Sequence, residues 1–144
     1  MKIRIAFAAL ALPAALAAQA APPRASAPKS PVPAAAVGTW EGKSMIGPKD
    51  SVVATYVLTV GADGKIMLAL NGQPPMTSRL LAAGGDSTVT ENGPYISVLK
   101  KGLNVTTKTT THFKGNAMTG TFEAKYSDGS SLKGKSAGAK KGAK

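Results

Sequence analysis

A chain of 144 residues with 18 basic and 7 acidic side chains, a formal net charge of +11 and no cysteine is bounded in several ways. Without cysteine there is no disulfide, no thiolate metal ligand and no lipid-carrying cysteine, so an exported domain must be held by its apolar core alone. Three Phe, three Tyr and one Trp in the whole chain are too few for the aromatic girdles of an outer-membrane barrel.

In chain order, the N-terminus carries Lys2 and Arg4 ahead of an apolar run from Ile5 to Ala18, broken only by Pro13. Ala18-Gln19-Ala20 then fits the small-x-small cleavage rule. Residues 1–20 are therefore expected to be a secretory signal peptide cut after Ala20, with a periplasmic or extracellular destination. The run is shorter than the roughly 20 apolar residues that a spanning helix needs, and its short cleavage region is of bacterial type. Residues 21–36 hold five prolines. A stretch so poor in backbone donors is expected to be an extended Pro/Ala-rich linker. Residues 37–136 then make up one small domain, since a chain of this size builds one core.

That domain reads as strands because apolar residues alternate with period two between glycine turns. The expected strands are Val37–Met45, Ser51–Val60, Lys65–Leu70, Met76–Ala83, Ser87–Glu91, Asn104–Phe113, Ala117–Tyr126 and Ser131–Ser136. In the second, Val52, Ala54, Tyr56, Leu58 and Val60 share a face. In the seventh, Met118, Gly120, Phe122, Ala124 and Tyr126 face one way while Thr119, Thr121, Glu123 and Lys125 face the other. A slip of one residue would expose the whole apolar set, so the register is well specified. Asp63-Gly64, Asn71-Gly72, Gly115-Asn116 and Asp128-Gly129 supply hairpin turns that tolerate positive φ. No segment of the domain sustains helical spacing, and five threonines in Asn104–Phe113 disfavour a helix. Eight consecutive short strands fit an all-β, antiparallel up-and-down barrel, with a sandwich as the other way of protecting the edges.

The charge is concentrated at the ends. Residues 37–132 carry nine basic and seven acidic side chains, whereas Lys133, Lys135, Lys140, Lys141 and Lys144 crowd the last dozen positions. Residues 137–144 are expected to be a disordered basic tail. Such a tail either solubilises the protein or attaches it to an anionic envelope surface in a salt-sensitive way. No aromatic residue interleaves these lysines, so the stacking platform for single-stranded nucleic acid is missing and no specific nucleic-acid partner is expected.

Gly38-Thr39-Trp40 at the head of the first strand resembles the Gly-x-Trp signature that opens lipocalin-like barrels. The start, with its strand running to Val60-Gly61-Ala62-Asp63-Gly64, also looks like the avidin-type barrels. The resemblance implies that Trp40 plugs one end of the barrel and that a basic residue of the last strand packs over it. No arginine occurs after Arg79, which leaves a lysine such as Lys133 for that part. Avidin-like biotin sites use several tryptophans, and Trp40 stands alone. Gly38–Lys43 and Met118–Tyr126 are similar to uncharacterised small secreted bacterial proteins, a likeness that carries no activity.

No catalytic residue, cofactor or metal ligand is assigned, and the chain is not read as an enzyme. His112, the one histidine, shares strand parity with Lys108 and Thr110 and is expected to point outward, with no Gly-x-Ser-x-Gly elbow to serve. Asp50, Asp63, Asp86 and Asp128 each lie beside a turn glycine, where aspartate serves the turn. Glu41, Glu91 and Glu123 fall on different strands. The interior is the remaining place for a site. An eight-stranded barrel is either filled by side chains or just wide enough for one small ligand. The candidate cavity residues are Trp40, Tyr56, Met76, Phe113, Phe122 and Tyr126, with Pro94-Tyr95-Ile96 as a lid or an ordinary loop. Two functions are therefore expected in competition. One is a secreted binding protein for a small apolar or amphipathic ligand, and the other an envelope-associated structural protein with a filled core.

Overall fold

The computed structural model describes residues 31–142, and the expected signal peptide, most of the linker and Lys144 lie outside them. Eight strands form one closed antiparallel barrel in sequence order: β1 (Gly38–Ile46), β2 (Ser51–Val60), β3 (Ile66–Leu70), β4 (Met76–Gly84), β5 (Ser87–Ile96), β6 (Asn104–Lys114), β7 (Ala117–Tyr126) and β8 (Ser131–Lys140). β8 closes the ring by pairing with β1 from Trp40↔Lys140 to Met45↔Lys135. The eight-stranded up-and-down barrel is thus the architecture, and the sandwich is excluded. Among the described residues no helix is long and apolar enough to cross a membrane.

The two ends differ in how they are closed. At the first, residues 31–37 fold back across the opening, with a 3₁₀ turn at Ala34–Ala36. Val32, Ala36, Trp40, Leu58, Val60, Ile66, Phe113 and Met118 make an apolar cluster there. Trp40 is fully buried, and its indole Nε1 donates to the Ala36 carbonyl at 2.8 Å, which satisfies its one polar atom. The Phe113 ring lies 5.0 Å from it at a tilt of 56°. Lys140 sits 5.5 Å over the indole and, rather than the expected Lys133, is the basic cover from the last strand. Lys133 is exposed on the outer face.

At the second end, Val105, Ala124 and Tyr126 form a smaller cluster with Tyr95, Leu103, Phe122 and Leu132 against it. The β5–β6 loop, residues 97–103, crosses here. Ser97 Oγ accepts from the Leu99 and Lys100 amides, and Lys100 Nζ donates to Ser130 Oγ at 2.7 Å while lying 4.4 Å over the Tyr126 ring. That lysine ties the loop to the β7–β8 turn.

Three boundaries move from the sequence reading. Residues 31–36, expected in an extended linker, form the plug, because Val32 and Ala36 offer apolar surface that Trp40 can cover. Residues 137–140, expected in the tail, are strand paired on both sides, Ala137 with Lys43 and Thr119 and Gly138 with Gly42 and Met118. Lys, Gly and Ala give that segment little apolar surface, but closing the ring supplies two ladders of backbone hydrogen bonds. Finally, β5 does not stop at Glu91. The register passes from Asn92↔Thr107 to Tyr95↔Val105, so Gly93 and Pro94 form a bulge and Pro94-Tyr95-Ile96 is strand, not lid. Gly93 has φ +113°, and a Cβ there would lie 2.5 Å from the Val105 carbonyl. Only glycine suits that position.

Bulges also correct the expected face of Val52. The β1–β2 register shifts between Ser44↔Ala54 and Met45↔Val52, which leaves Val53 unpaired and turns Val52 out to 54 % exposure. The remaining parity of β2 and β7 is as the alternation predicts, with Ala54, Leu58, Val60, Met118, Ala124 and Tyr126 buried.

Close packing of the ring gives one prediction. A Cβ on Gly120 would overlap the Thr110 carbonyl, which is backbone of the adjacent strand and has no freedom to retreat, whereas Gly84 has open space around it and no positive φ. Gly120→Ala is expected to cost about 1–3 kcal/mol in urea unfolding, and Gly84→Ala to leave the midpoint unchanged or raise it slightly.

Candidate functional site

Between the two end clusters the barrel is not filled. A cavity of about 80 Å³, partly open to solvent, lies inside, with Ser97, Val98 and Leu99 of the β5–β6 loop among its lining. Its walls are set by strand parity. β2 and β3 contribute Ala54, Leu58, Val60, Ile66, Leu68 and Leu70, an aliphatic surface. Elsewhere on the ring, β5 and β6 present direct cross-strand pairs of polar residues to the same space: Thr88↔Thr111, Thr90↔Thr109 and Asn92↔Thr107. Thr88, Thr90, Asn92 and Thr111 are buried.

The rungs of this ladder differ in how they are satisfied. Asn92 Oδ1 accepts from Ser78 Oγ, and the hydroxyls of Thr107 and Tyr95 meet at 2.9 Å. Among the described residues, the hydroxyls of Thr88, Thr90, Thr109 and Thr111 have no such side-chain bond. Ser136, on the far side of Gly120 from Thr111, has a buried Oγ without a hydrogen-bond partner.

Among the described residues, no Asp, Glu, Lys, Arg or His lines the cavity. Its ionisable members are Tyr56, Tyr95 and Tyr126. Burial pushes the Tyr56 phenol up from its ordinary value, and the nearby Ser136 hydroxyl draws it partly back. Ser136 thus lies close to that ring without a bond of full hydrogen-bond geometry. Burial likewise raises the Tyr95 phenol, against a smaller lowering by Thr107. Raised phenols are neutral at physiological pH. Their contribution to stability is complete below the ordinary tyrosine value of about 10 and is lost as pH rises through the raised folded values. The urea midpoint is therefore expected to fall above pH 10, and to fall less steeply in the Tyr56→Phe, Tyr95→Phe double variant.

Of the six residues expected in a cavity, Tyr56, Phe122 and Tyr126 line it. Trp40 and Phe113 belong to the plug instead, where their rings pack on each other and Trp40 bonds Ala36 of the segment that crosses this end. Met76 stands opposite Leu68, half-buried and outside the lining. Tyr56 reaches its place across Gly42, where a Cβ would fall within van der Waals overlap of the phenol ring. The threonine ladder is the part of the site that sequence reasoning misses. A signal for it exists, since Phe113 on the inward face places Thr111, Thr109 and Thr107 beside it in period two. The backbone preference of threonine for strands accounts for the same residues and hides the role of their hydroxyls.

His112 is exposed as its parity predicts, at 56 % for the side chain, and its Nδ1 lies 2.6 Å from Ser87 Oγ. Ser87 in turn donates to Asp86 Oδ1 at 2.9 Å. This hydrogen bond, ahead of the His112 contact, holds the Asp86 carboxyl below its ordinary value. The hydroxyl, not the imidazole, occupies the middle of this group. A triad needs the base between nucleophile and acid, and here the Asp86 and His112 side chains stand exposed at the β4–β5 turn with the half-buried Ser87 between them. They are a surface network. Among the described residues no cluster of three or more His, Asp or Glu is placed to hold a metal ion.

The closed eight-stranded barrel with its tryptophan plug is compatible with a lipocalin-like fold. No family model, curated protein or solved structure matches the chain.

Proposed function

We propose that this chain is a secreted, non-enzymatic binding protein of lipocalin-like type that holds a small apolar or amphipathic ligand inside its barrel. The observation that carries this reading is the unfilled interior, about 80 Å³ and partly open to solvent, in a barrel whose other end is sealed by Trp40 and Phe113. An apolar lining with a few convergent polar groups is the usual chemistry of small-molecule sites, and this cavity has that chemistry at a smaller volume than most of them. The uncharged lining and the open Asp86–Ser87–His112 arrangement favour binding over catalysis.

The alternative, an envelope protein acting through a basic tail, is less well supported. Lys135 is 3.4 Å from Asp50, Lys141 is 3.3 Å from Glu41, and Lys140 covers Trp40. These lysines serve the barrel rather than a free tail.

Titration of the isotope-labelled full chain with toluene tests the binding reading. Amide shifts are expected at Leu58, Leu68 and Phe122, and shifts confined to outward positions such as Thr119 and Lys125 would overturn it. Export has its own test. The intact mass of protein recovered from the periplasm or medium is expected to begin at Ala21, and an uncut N-terminus would contradict the secretory reading.

A further inference from the structure

The two walls of the cavity differ in chemistry, and this difference narrows the ligand. Resting on the binding reading above, we infer that the ligand is an uncharged amphiphile, an alcohol or ketone with a short apolar body, whose oxygen meets Thr90 and Thr109. The apolar body lies against Leu58, Leu68 and Leu70.

The inference has three supports. First, among the described residues the lining contains no Asp, Glu, Lys, Arg or His, and the Tyr56 and Tyr95 phenols, pushed up by burial, are neutral. A carboxylate or ammonium would enter without a counter-charge, and desolvating an unpaired ion is far more costly than desolvating a hydroxyl. This excludes fatty acids and amines as the buried part of the ligand. Second, the polar wall is a built feature. Thr88, Thr90 and Thr111 are 4 %, 7 % and 5 % exposed, and Thr90 pairs directly with Thr109. A pure hydrocarbon would cover these hydroxyls without satisfying them. A hydroxyl or carbonyl oxygen accepts from one threonine, and an alcohol also donates to the other. Third, size is limiting. The volume of about 80 Å³ is roughly half that of the engineered 150 Å³ cavity known to bind benzene. The buried body is therefore small, and a probe as large as toluene or 1-hexanol enters only in part, the rest of it remaining at the open end beside Leu99.

The test uses three probes of one length, 1-hexanol, hexanoate and hexylammonium, with toluene as the apolar reference, each titrated against the full chain at pH 7 by ligand-observed and amide NMR. The expected result is that 1-hexanol binds inside the barrel and that both ions bind roughly 100-fold more weakly or not at all. The Thr90→Val, Thr109→Val double variant keeps the shape of both side chains. It is expected to weaken 1-hexanol about tenfold while leaving toluene unchanged, with circular dichroism and melting confirming the fold. Hexanoate or hexylammonium binding as tightly as 1-hexanol, or a double variant that weakens both neutral probes equally, overturns the inference while leaving a ligand-binding barrel intact. If none of the four probes binds, both the inference and the binding reading fail.

Discussion

Replacing Trp40 by alanine is expected to cost about 3–5 kcal/mol, a large share of the stability of a small domain. Trp40 is fully buried and touches each part of the plug. Its indole donates to Ala36, its ring packs on Phe113, and Lys140 lies over it. Truncation removes the hydrogen bond from the indole to the segment 31–37 and leaves a hole in the cluster at the plugged end. Small domains are stable by only about 5–15 kcal/mol, and a domain of this size loses roughly 4–8 °C of melting temperature per kcal/mol. A drop of more than about 12 °C is therefore expected by calorimetry, with Trp40→Phe losing clearly less. A small drop for Trp40→Ala would mean that the plug is held by the strands alone.

The second large effect is on binding rather than stability. Ala54 lies on the apolar wall opposite Ser44, beyond the end of β3, which pairs with β2 only as far as Tyr56↔Leu70. Leucine at that position projects its added carbons into the cavity. Ala54→Leu is expected to reduce 1-hexanol and toluene affinity at least roughly tenfold, because the cavity has so little volume to lose. The melting temperature is expected to stay within about 5 °C or to rise, since filling a void adds apolar contact. Undiminished affinity in a well-folded Ala54→Leu protein would place the probes outside the barrel.

Much of the barrel is legible in the sequence because its strands alternate. Ala117–Tyr126 is readable to the residue, and β2 to its full length, because one face of each is almost wholly apolar and the turns between strands carry glycine with aspartate or asparagine. Segments that lack an apolar face come out too short. Ala137-Gly138-Ala139-Lys140 has no pattern of its own and becomes strand only because β1 and β7 flank it. Such pairing is non-local, and no single segment reveals it. The bulges at Val53 and at Gly93-Pro94 are invisible for the same reason, as each depends on the partner's register.

The candidate site is half legible. Strand parity suffices to bring Tyr56, Phe122 and Tyr126 to the cavity. For Trp40 and Phe113 it gives the correct face but the wrong depth, since parity fixes the side of a strand and not the height within a barrel. The threonines of β5 and β6 escape it because an inward hydroxyl contradicts the expectation of an apolar core. Departures of this kind collect where a fold serves something other than its own stability.

The measurement that bears most directly on the binding reading is native mass spectrometry of the mature protein, residues 21–144, recovered from its own compartment without denaturation. The expected spectrum shows a stoichiometric adduct of small mass that disappears when the protein is unfolded, and its exact mass identifies an uncharged, oxygen-containing molecule. A bare protein mass that persists after incubation with 1-hexanol and toluene would contradict the account and return the barrel to a scaffold that acts through its surface.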